Sequence, residues 1–316
     1  MAKLFFSVDV HGANSVWRKW LKVPDLYDVD ALLLCGDLTG KSLVPIIEQG
    51  DGTYNAFYFG RNWNVSEGSE VDEMEQRIQD AGAYTLRCDK DRVEELSNDP
   101  TAVESLMMSM IKDRIAMWME SLVASLNLSA VDVLVMPGND DDWEVDEVIK
   151  SFADRGVRWP LDGVTSVLGA PTISLDYVNP TPWDTPREDS ERGMAKRIEK
   201  LVKQLSDPSK AIFNLHAPPH GTMLDLAPEL DGSKKPVTVA GQVNFVHVGS
   251  SAVRSAIEKY QPMIGLHGHI HESYGHDKLG ETPVVNPGSE YGEGILRGYL
   301  IEIEDGRVGN HWKVEG

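Results

Sequence analysis

The sequence predicts an α/β protein, and three observations support this class. Short apolar runs recur along the 316-residue chain and are typical of buried strands. Longer segments between them place apolar residues at helical spacing, as Val71, Met74 and Ile78 do. Hydrophobic residues make up 41% of the chain, which is enough to form a well-buried core. We therefore predict a single domain over residues 1–316.

The predicted elements alternate along the chain. The predicted strands are Lys3–Val8, Asp30–Cys35, Val131–Met136, Val164–Leu168, Thr172–Leu175, Ala211–Leu215, Met263–Leu266, Thr282–Val285 and Leu296–Ile303. The predicted helices outside residues 41–130 are Asp146–Phe152, Glu188–Leu205 and Val253–Tyr260. The proline-rich stretch from Asn179 to Pro186 is predicted to be a stiff loop, because each proline removes a hydrogen-bond donor and biases its predecessor to an extended conformation.

Residues 41–130 differ in character and are predicted to form an inserted cap or lid. Turn signals flank a hairpin over Tyr54–Val65, and a long helix follows from Asp99 to about Leu126. The hairpin aromatics, among them Phe57, fit either a lid that stacks a nucleobase or a small local core, and the local core is the favoured interpretation.

Composition excludes several classes of function. Thirty basic and fifty acidic residues give a formal charge of −20, so the long-range field repels nucleic acid and anionic membranes. A phosphate-bearing ligand therefore needs a local positive charge. Two cysteines make no disulfide framework, and no signal peptide or membrane-spanning run is evident, which predicts a cytoplasmic protein without a membrane partner.

Five predicted strands end in residues that can bind a metal. In an open α/β sheet, residues beyond the carboxyl ends of strands can converge although they are scattered in sequence. If the chain remains extended after Leu266, three alternate histidines of the segment Gly265–His271 also share one side. The alternative is a polar strand end whose histidines bond to solvent and backbone. The candidate ligands are Asp9, His11, Asp37, Asn139, His216, His267 and His269.

This donor set predicts two divalent ions. Mixed oxygen and imidazole donors suit Mn, Fe, Zn, Ni or Co better than Ca or Mg. Seven donors exceed the four of a tetrahedral zinc site, which favours two ions that share a carboxylate.

The order Asp-x-His, Gly-Asp-x-x-Gly, Gly-Asn-x-Asp, a lone His and Gly-His-x-His resembles the calcineurin-like metallophosphoesterases across nearly the whole chain. Residues Asn179–Arg187, Asn214–Pro219 and Asn286–Ser289 are similar, more narrowly, to the phosphoesterases related to Icc-type cyclic-nucleotide phosphodiesterases. The resemblance implies a four-layer α/β/β/α metallophosphoesterase sandwich with an inserted helical and hairpin cap.

The resemblance also implies roles for the candidate ligands. One ion is expected on Asp9, His11 and His269, and the other on Asn139, His216 and His267. Asp37 is expected to bridge the two ions, and a hydroxide between them would attack phosphorus in line. His271 matches no family ligand and is expected at the surface.

The sequence departs from the family at the residue expected to protonate the leaving group. Many members have a histidine after the motif asparagine, whereas this chain has Asp140, which is a poor proton donor unless its pKa is raised. His220 is the alternative proton donor. Asp141 matches a family acid that is expected to orient a ligand histidine.

The predicted function is hydrolysis of a small phosphoester, which could be a nucleotide, by a phosphodiesterase or phosphatase. A metal-dependent nuclease is a second hypothesis, although it requires a basic groove that the sequence does not show. A non-catalytic scaffold is a third, and it has no need of the complete ligand set.

Overall fold

The computed structural model describes residues 1–161 and 163–316, and its elements follow the predicted alternation. The strands are β1 Ala2–Ser7, β2 Ala31–Cys35, β3 Leu43–Glu48, β4 Thr53–Tyr58, β5 Arg61–Ser66, β6 Tyr84–Cys88, β7 Asp132–Met136, β8 Val157–Arg158, β9 Val164–Val167, β10 Ala170–Leu175, β11 Ile212–Leu215, β12 Leu226–Pro228, β13 Thr238–Val239, β14 Gln242–Val243, β15 Phe245–His247, β16 Ile264–Leu266, β17 Gly275–Leu279, β18 Thr282–Asn286, β19 Arg297–Glu304 and β20 Arg307–Glu315. The α-helices are α1 Asn14–Trp20, α2 Val23–Tyr27, α3 Ser69–Asp80, α4 Lys90–Ser97, α5 Pro100–Ser125, α6 Glu144–Lys150, α7 Glu191–Val202 and α8 Ser251–Tyr260.

Two six-stranded sheets form the centre of the protein. The first has the strand order β20-β19-β1-β2-β7-β8, and the second has the order β17-β18-β16-β11-β10-β9. Strands β1, β2, β7 and β8 pair in parallel, as do β10, β11, β16 and β18. Antiparallel strands flank both parallel blocks. Because each parallel block points its carboxyl ends one way, loops that carry the predicted ligands leave the sheets at a common edge.

The burial pattern shows four layers. On β1, Leu4 and Phe6 face a core between the two sheets that also contains Ile264 from β16, whereas Phe5 faces outward. The outer face of the first sheet packs against α1, α5 and α6, with Trp17 and Trp118 stacked at 4.7 Å between ring centroids. The outer face of the second sheet packs against α7 and α8. Helix, sheet, sheet and helix therefore follow in order, which confirms the predicted α/β/β/α sandwich.

Residues 41–130 contain a separate four-stranded sheet in the order β5-β4-β3-β6. The hairpin β4–β5 and the helix over Val71, Met74 and Ile78 are present as predicted, and α3 packs on this sheet around a small core that includes Ile46. Tyr54, Tyr58 and Trp63 of this hairpin pack against the same core, which confirms the local-core interpretation for them, while Phe57 is 64% exposed.

The long helix α5 lies within residues 41–130 in sequence but packs against the first sheet. Its N-terminus is capped by Asp99, which accepts a hydrogen bond from the Ala102 N–H at 3.0 Å. Its buried residues, such as Ile115, lie in the outer core of the first sheet. The role of residues 41–130 as a lid over the site stays a prediction.

Residues 226–247 form two short ribbons, β12–β15 and β13–β14, which no sequence pattern predicted. None of the helices in residues 1–161 and 163–316 has the length and apolar character needed to cross a bilayer.

Candidate metal centre

The candidate ligands lie in the loops that follow five strands. Asp9 follows β1, Asp37 follows β2 and Asn139 follows β7, and these three strands are parallel neighbours in the first sheet. His216 follows β11 and His269 follows β16, which are parallel neighbours in the second sheet. The site is therefore built where the carboxyl ends of both sheets meet.

The loop backbones are held in an uncommon conformation. Asp9, His11, Asp37 and His269 have φ values of 54°, 39°, 45° and 68°, in the left-handed region that non-glycine residues seldom adopt. Such strain persists only where surrounding contacts hold it, and it concentrates at functional sites. Here the Asp9 N–H donates to the Gly36 carbonyl at 3.0 Å, and the His11 N–H donates to the Asp37 carbonyl at 2.9 Å.

Asp37 stands between two groups of imidazoles. Its Oδ2 lies 3.8 Å from His11 Nε2 and 3.5 Å from His216 Nε2. Among the described residues, His11, Asp37 and His271 form one group with ligand atoms close enough to hold an ion, and Asp37, His216 and His269 form another. A carboxylate common to both groups is the arrangement expected of a bridging ligand.

The third histidine of the segment Gly265–His271 is part of the site, so its expected surface position is wrong. His271 Nε2 lies 3.1 Å from His11 Nε2, and burial, followed by the nearby charge of His11, lowers the His271 pKa to about 3. Two neutral imidazole nitrogens at this distance need a proton or a cation between them, because otherwise two lone pairs face each other.

His267, which was expected to be a ligand, lies outside the site. Its Nδ1 donates to the carbonyl of Leu215 at 2.8 Å or of Ala217 at 3.0 Å, and it lies outside both ligand groups of the described chain. The structure therefore brings His269 and His271 next to Asp37, instead of the expected His267 and His269, and their role as ligands stays a prediction. The letters Gly-His-x-His are matched literally by residues 268–271, which is the sequence signal for the correct pair.

The expectation that the three alternate histidines share one side fails for a structural reason. Strand β16 ends at Leu266, and His269 adopts φ 68°, so the period of two does not continue through the three histidines.

Several buried ligand atoms have no hydrogen-bond partner within the described residues. They include Asp9 Oδ1, Asn139 Oδ1 and both ring nitrogens of His216. Buried polar atoms are normally paired, so an unpaired set at one site needs an explanation. His216 Nε2 lies 3.7 Å from Asp9 Oδ1 and 3.5 Å from Asp37 Oδ2, and such a group of oxygen and imidazole donors fits a divalent cation.

The pKa values reflect this crowding. Burial acts to lower the pKa of His216, but the Asp37 and Asp9 carboxylates outweigh it and raise the pKa to about 9. Burial, followed by the charge on His216, lowers the pKa of His269 to about 4. Burial also raises the pKa of Asp9 well above its ordinary value, with His216 opposing and Asp37 reinforcing the shift. The cluster thus concentrates like charges and lone pairs that a cation stabilises.

Two motif glycines allow these close approaches. A Cβ on Gly36, which has φ 111°, would lie 2.1 Å from the ring of His216. A Cβ on Gly138 would lie 2.2 Å from Asp37 Oδ1. Larger residues at either position would displace a candidate ligand.

Asp140 lies at the edge of this cluster. Its N–H donates to Asp37 Oδ1 at 2.9 Å, and Lys41 Nζ lies 3.5 Å from its Oδ1. Burial and then the charge of Asp37 raise the Asp140 pKa, while Lys41 opposes the shift. A raised pKa moves this carboxyl toward the behaviour of a proton donor.

The other proton-donor candidate lies elsewhere. His220 is half exposed, its Nδ1 is 3.6 Å from Asp225 Oδ2, and its ring lies 5.8 Å from that of His247. Its described side-chain contacts are with this pair and not with the ligands around Asp37.

Asp141 does not orient a ligand histidine, so that expectation is wrong. Its carboxylate accepts from the N–H groups of Leu38, Thr39 and Gly138 at 2.8–2.9 Å and from the Thr39 hydroxyl at 2.6 Å. Four donors fill the acceptor positions of a buried carboxylate. Asp141 therefore fixes the loop that carries Asp37 relative to the loop that carries Asn139.

Sequence reasoning missed other residues next to the site. The Tyr291 ring lies 4.7 Å from that of His11 and 6.1 Å from that of His271. Thr185 accepts a hydrogen bond from Asn139 Nδ2 at 2.9 Å and donates to Glu188 at 2.7 Å. No local pattern could identify these contacts, because each joins segments far apart in the chain.

Comparison with known proteins places the chain among related folds. No protein-family model matches it. The uncharacterized protein MJ1162 of Methanocaldococcus jannaschii is 35% identical over 163 residues, which are 50% of this chain and 64% of that protein, so this chain spans less than two thirds of the relative.

Solved structures align over nearly the whole chain. TT1561 of Thermus thermophilus covers 100% of this chain and 98% of its own, with a TM-score of 0.53 and 14% identity. The calcineurin-like phosphoesterase YfkN from Bacillus subtilis covers 99% of this chain and 90% of its own, with a TM-score of 0.41 and 12% identity.

The four observed layers and the convergence of the motif loops define the class of fold. It is a four-layer α/β/β/α sandwich whose motif loops meet at one edge, the fold shared with TT1561, and membership of the calcineurin-like metallophosphoesterases stays a prediction.

Proposed function

We propose that this protein hydrolyses a small phosphoester at a centre that binds two divalent ions. The observation that carries the proposal is the position of Asp37, whose single oxygen Oδ2 faces His11 on one side and His216 on the other. One carboxylate between two sets of buried nitrogen donors supports a pair of ions rather than one.

The proposed ligand sets follow the observed groups. Asp9, His11 and His271 are assigned to one ion, and Asn139, His216 and His269 to the other, with Asp37 shared. Asp9 Oδ1 and Asn139 Oδ1, which have no hydrogen-bond partner among the described residues, are the further oxygen donors in this assignment. Mn, Fe, Zn, Ni or Co suits this mixture of donors.

Two divalent ions bound here supply Lewis acidity at a phosphoryl group and lower the pKa of water. The chain's own residues fix the geometry. Asp141 locks the loop that carries Asp37, and the half-buried His269 and His271 stay neutral at pH 7, so their lone pairs are available to a metal. Asp140 contacts the shared carboxylate through its N–H, whereas the described side-chain contacts of His220 are with Asp225 and His247. We therefore propose Asp140 as the group that protonates the leaving oxygen.

The proposed substrate is small. The charge of −20 opposes binding of a polyanionic nucleic acid, so a nuclease is not favoured, and the proposal includes diesters and monoesters of nucleotide size. Similarity to the Icc-type subgroup and a cytoplasmic location stay predictions.

Metal-reconstituted turnover tests the proposal. The metal-free protein is supplied with Mn, Ni, Co or Zn and assayed with bis-p-nitrophenyl phosphate and with p-nitrophenyl phosphate. We expect turnover with at least one metal, and we expect Asp37→Ala, His216→Ala and His271→Ala each to reduce kcat/KM by more than about 100-fold, beyond the range typical of residues that only orient a ligand.

His276→Ala is the matched control for His271→Ala. His276 is an exposed histidine of β17 whose ring pairs with that of His311, so we expect it to retain activity. Absence of turnover with every metal and both esters would refute the hydrolase proposal. Full activity of His271→Ala would refute the revised ligand set alone.

A further inference from the structure

The proline-rich loop after β10 is pinned against the candidate ligand Asn139. At its base the Val178 N–H donates to the Arg187 carbonyl and the Asp189 N–H to the Val178 carbonyl, each at 3.0 Å. The Arg187 N–H donates to the carbonyl of Asn139 at 3.2 Å. The loop is therefore tied both to itself and to the backbone of this ligand.

A chain of hydrogen bonds runs from the loop to the Asn139 side chain. Asn139 Nδ2 donates to Thr185 Oγ1 at 2.9 Å, and Thr185 Oγ1 donates to Glu188 Oε1 at 2.7 Å. The same Oε1 accepts the Thr185 N–H at 2.8 Å and the Thr181 hydroxyl at 2.6 Å. Glu188 thus holds Thr185 at two points.

The direction of this chain is fixed by chemistry. An ionised carboxylate only accepts hydrogen bonds, so the single proton of the Thr185 hydroxyl goes to Glu188. The lone pairs of Thr185 Oγ1 then remain for Asn139, which must present its NH₂ group to them. An amide flipped by 180° would instead place its oxygen against a hydroxyl oxygen without a proton to share. The amide oxygen of Asn139 must therefore point away from Thr185.

The released oxygen has the properties of a metal ligand. Asn139 Oδ1 is buried and has no hydrogen-bond partner among the described residues. Asn139 is joined to the shared carboxylate through its neighbours, because Gly138 packs against Asp37 and the Asp140 N–H donates to Asp37.

We propose that Thr185, held by Glu188, is the positioning residue that sets the amide of Asn139 with its oxygen toward the ion on the His216 side. This inference rests on the proposed two-ion function. It assigns to the proline-rich loop the task of orienting a ligand, and it requires the Thr185 hydroxyl rather than the bulk of the side chain.

Metal binding by the full-length, metal-free protein tests the inference. Mn²⁺ is titrated by isothermal calorimetry into the wild type, Thr185→Val, Thr185→Ser and Thr181→Val. We expect Thr185→Val to weaken one of two Mn²⁺ sites by about 10–100-fold, because residues that orient a ligand have effects of this size. The other site should keep its affinity, and Thr185→Ser, which retains the hydroxyl, should match the wild type at both.

Thr181→Val is the matched control, since Thr181 donates to the same Glu188 oxygen at 2.6 Å but has no hydrogen bond to Asn139. We expect it to bind both ions as the wild type does. Thermal unfolding without metal checks folding, and if Thr185→Val does not fold, Thr185→Ala, which also lacks the hydroxyl, carries the test.

The outcomes separate the two proposals. A wild type that binds two ions beside a Thr185→Val variant with unchanged affinities overturns the positioning role and leaves the two-ion function standing. Equal losses in Thr181→Val and Thr185→Val also overturn it, because general loosening of the loop would then explain both. A wild type that does not bind two ions overturns the two-ion function and, with it, this inference.

Discussion

Removal of the Arg187 charge is expected to have a large effect on stability. This guanidinium is fully buried, 2.6 Å from Asp176 and 3.0 Å from Asp146, and it donates to the carbonyls of Asp141 and Asp142 at 2.9 and 3.0 Å. Arg187→Met keeps most of the apolar stem but leaves two largely buried carboxylates without their cation.

The expected loss follows from this geometry. Breaking a buried ion pair from one side costs about 3–5 kcal/mol, because the remaining charge is left uncompensated. With an unfolding entropy of roughly 2.1 cal/mol/K per residue, 316 residues give about 0.7 kcal/mol/K, so Tm should fall by about 4–8 °C. The assay is differential scanning calorimetry of metal-free protein.

The deficit should depend on pH. Burial raises the pKa of Asp176 above its ordinary value of 3.8, with Arg187 opposing the shift, so loss of Arg187 raises this pKa further. A carboxyl whose folded pKa is raised destabilises the protein as pH rises through that pKa. The difference in Tm between variant and wild type should therefore be small in acid and should grow with pH.

Two further variants make this prediction refutable. Lys203→Met removes an exposed charge 3.2 Å from Glu199 and should change stability by less than about 1 kcal/mol. Asp176→Asn added to Arg187→Met should recover part of the loss, because it removes an uncompensated charge. The reasoning would be contradicted if Arg187→Met lowered Tm by no more than Lys203→Met does. It would also be contradicted if adding Asp176→Asn to Arg187→Met lowered Tm again by a similar amount.

Three other predictions follow from the site. Gly36→Ala should abolish Mn²⁺ binding to the His216 group, because the added Cβ would lie 2.1 Å from that ring; calorimetric titration measures this. Asp141→Asn should lower stability by about 1.5–3 kcal/mol, since an amide cannot accept the four hydrogen bonds of this carboxylate; urea unfolding measures this. Mn²⁺ at about 100 times its Kd should stabilise the wild type by about 2.7 kcal/mol per site over chelator-treated protein; thermal unfolding measures this.

Each of the two variants has its own control. Gly50→Ala tests the cost of a left-handed φ alone, since Gly50 has φ 79° and open space around its Cβ position, and it should retain metal binding. Asp142→Asn should have a small effect, because the described contacts of Asp142 use its carbonyl. Loss of Mn²⁺ binding in Gly50→Ala as well, or an equal loss of stability in Asp142→Asn and Asp141→Asn, would count against the explanation of that variant. A Tm that does not respond to Mn²⁺ would count against the metal prediction.

The sequence predicted the α/β class and the convergence of ligands because both depend on strand character and direction, whereas the four-layer sandwich was implied by the family resemblance. An apolar run followed by Asp9, Asp37 or His216 gives a buried strand with a polar carboxyl end, and parallel neighbours bring such ends together. These properties are local, so they can be recognised without the tertiary structure.

The choice among the three histidines after β16 could not be made by assuming an extended chain. Their side depends on where the strand ends and on the left-handed φ of His269, which is maintained by contacts such as the hydrogen bond from its N–H to Asp9 at 2.9 Å. The partner comes from the other end of the chain, so alternation along the sequence could not show which of the three histidines face Asp37. The pair His267 and His269 was taken from the resemblance, whose Gly-His-x-His letters fit residues 268–271.

The sequence by itself determined the fold class, the strand ends that form the centre, and most of its candidate ligands. The tertiary structure showed that His271, and not His267, lies beside His11, in agreement with the literal Gly-His-x-His match at residues 268–271. Only the tertiary structure decided that Asp141 binds loop backbone instead of a histidine and that Thr185 faces Asn139. Strand character is set by neighbouring residues, whereas ligand orientation is set by hydrogen bonds between loops that meet only after both sheets have packed.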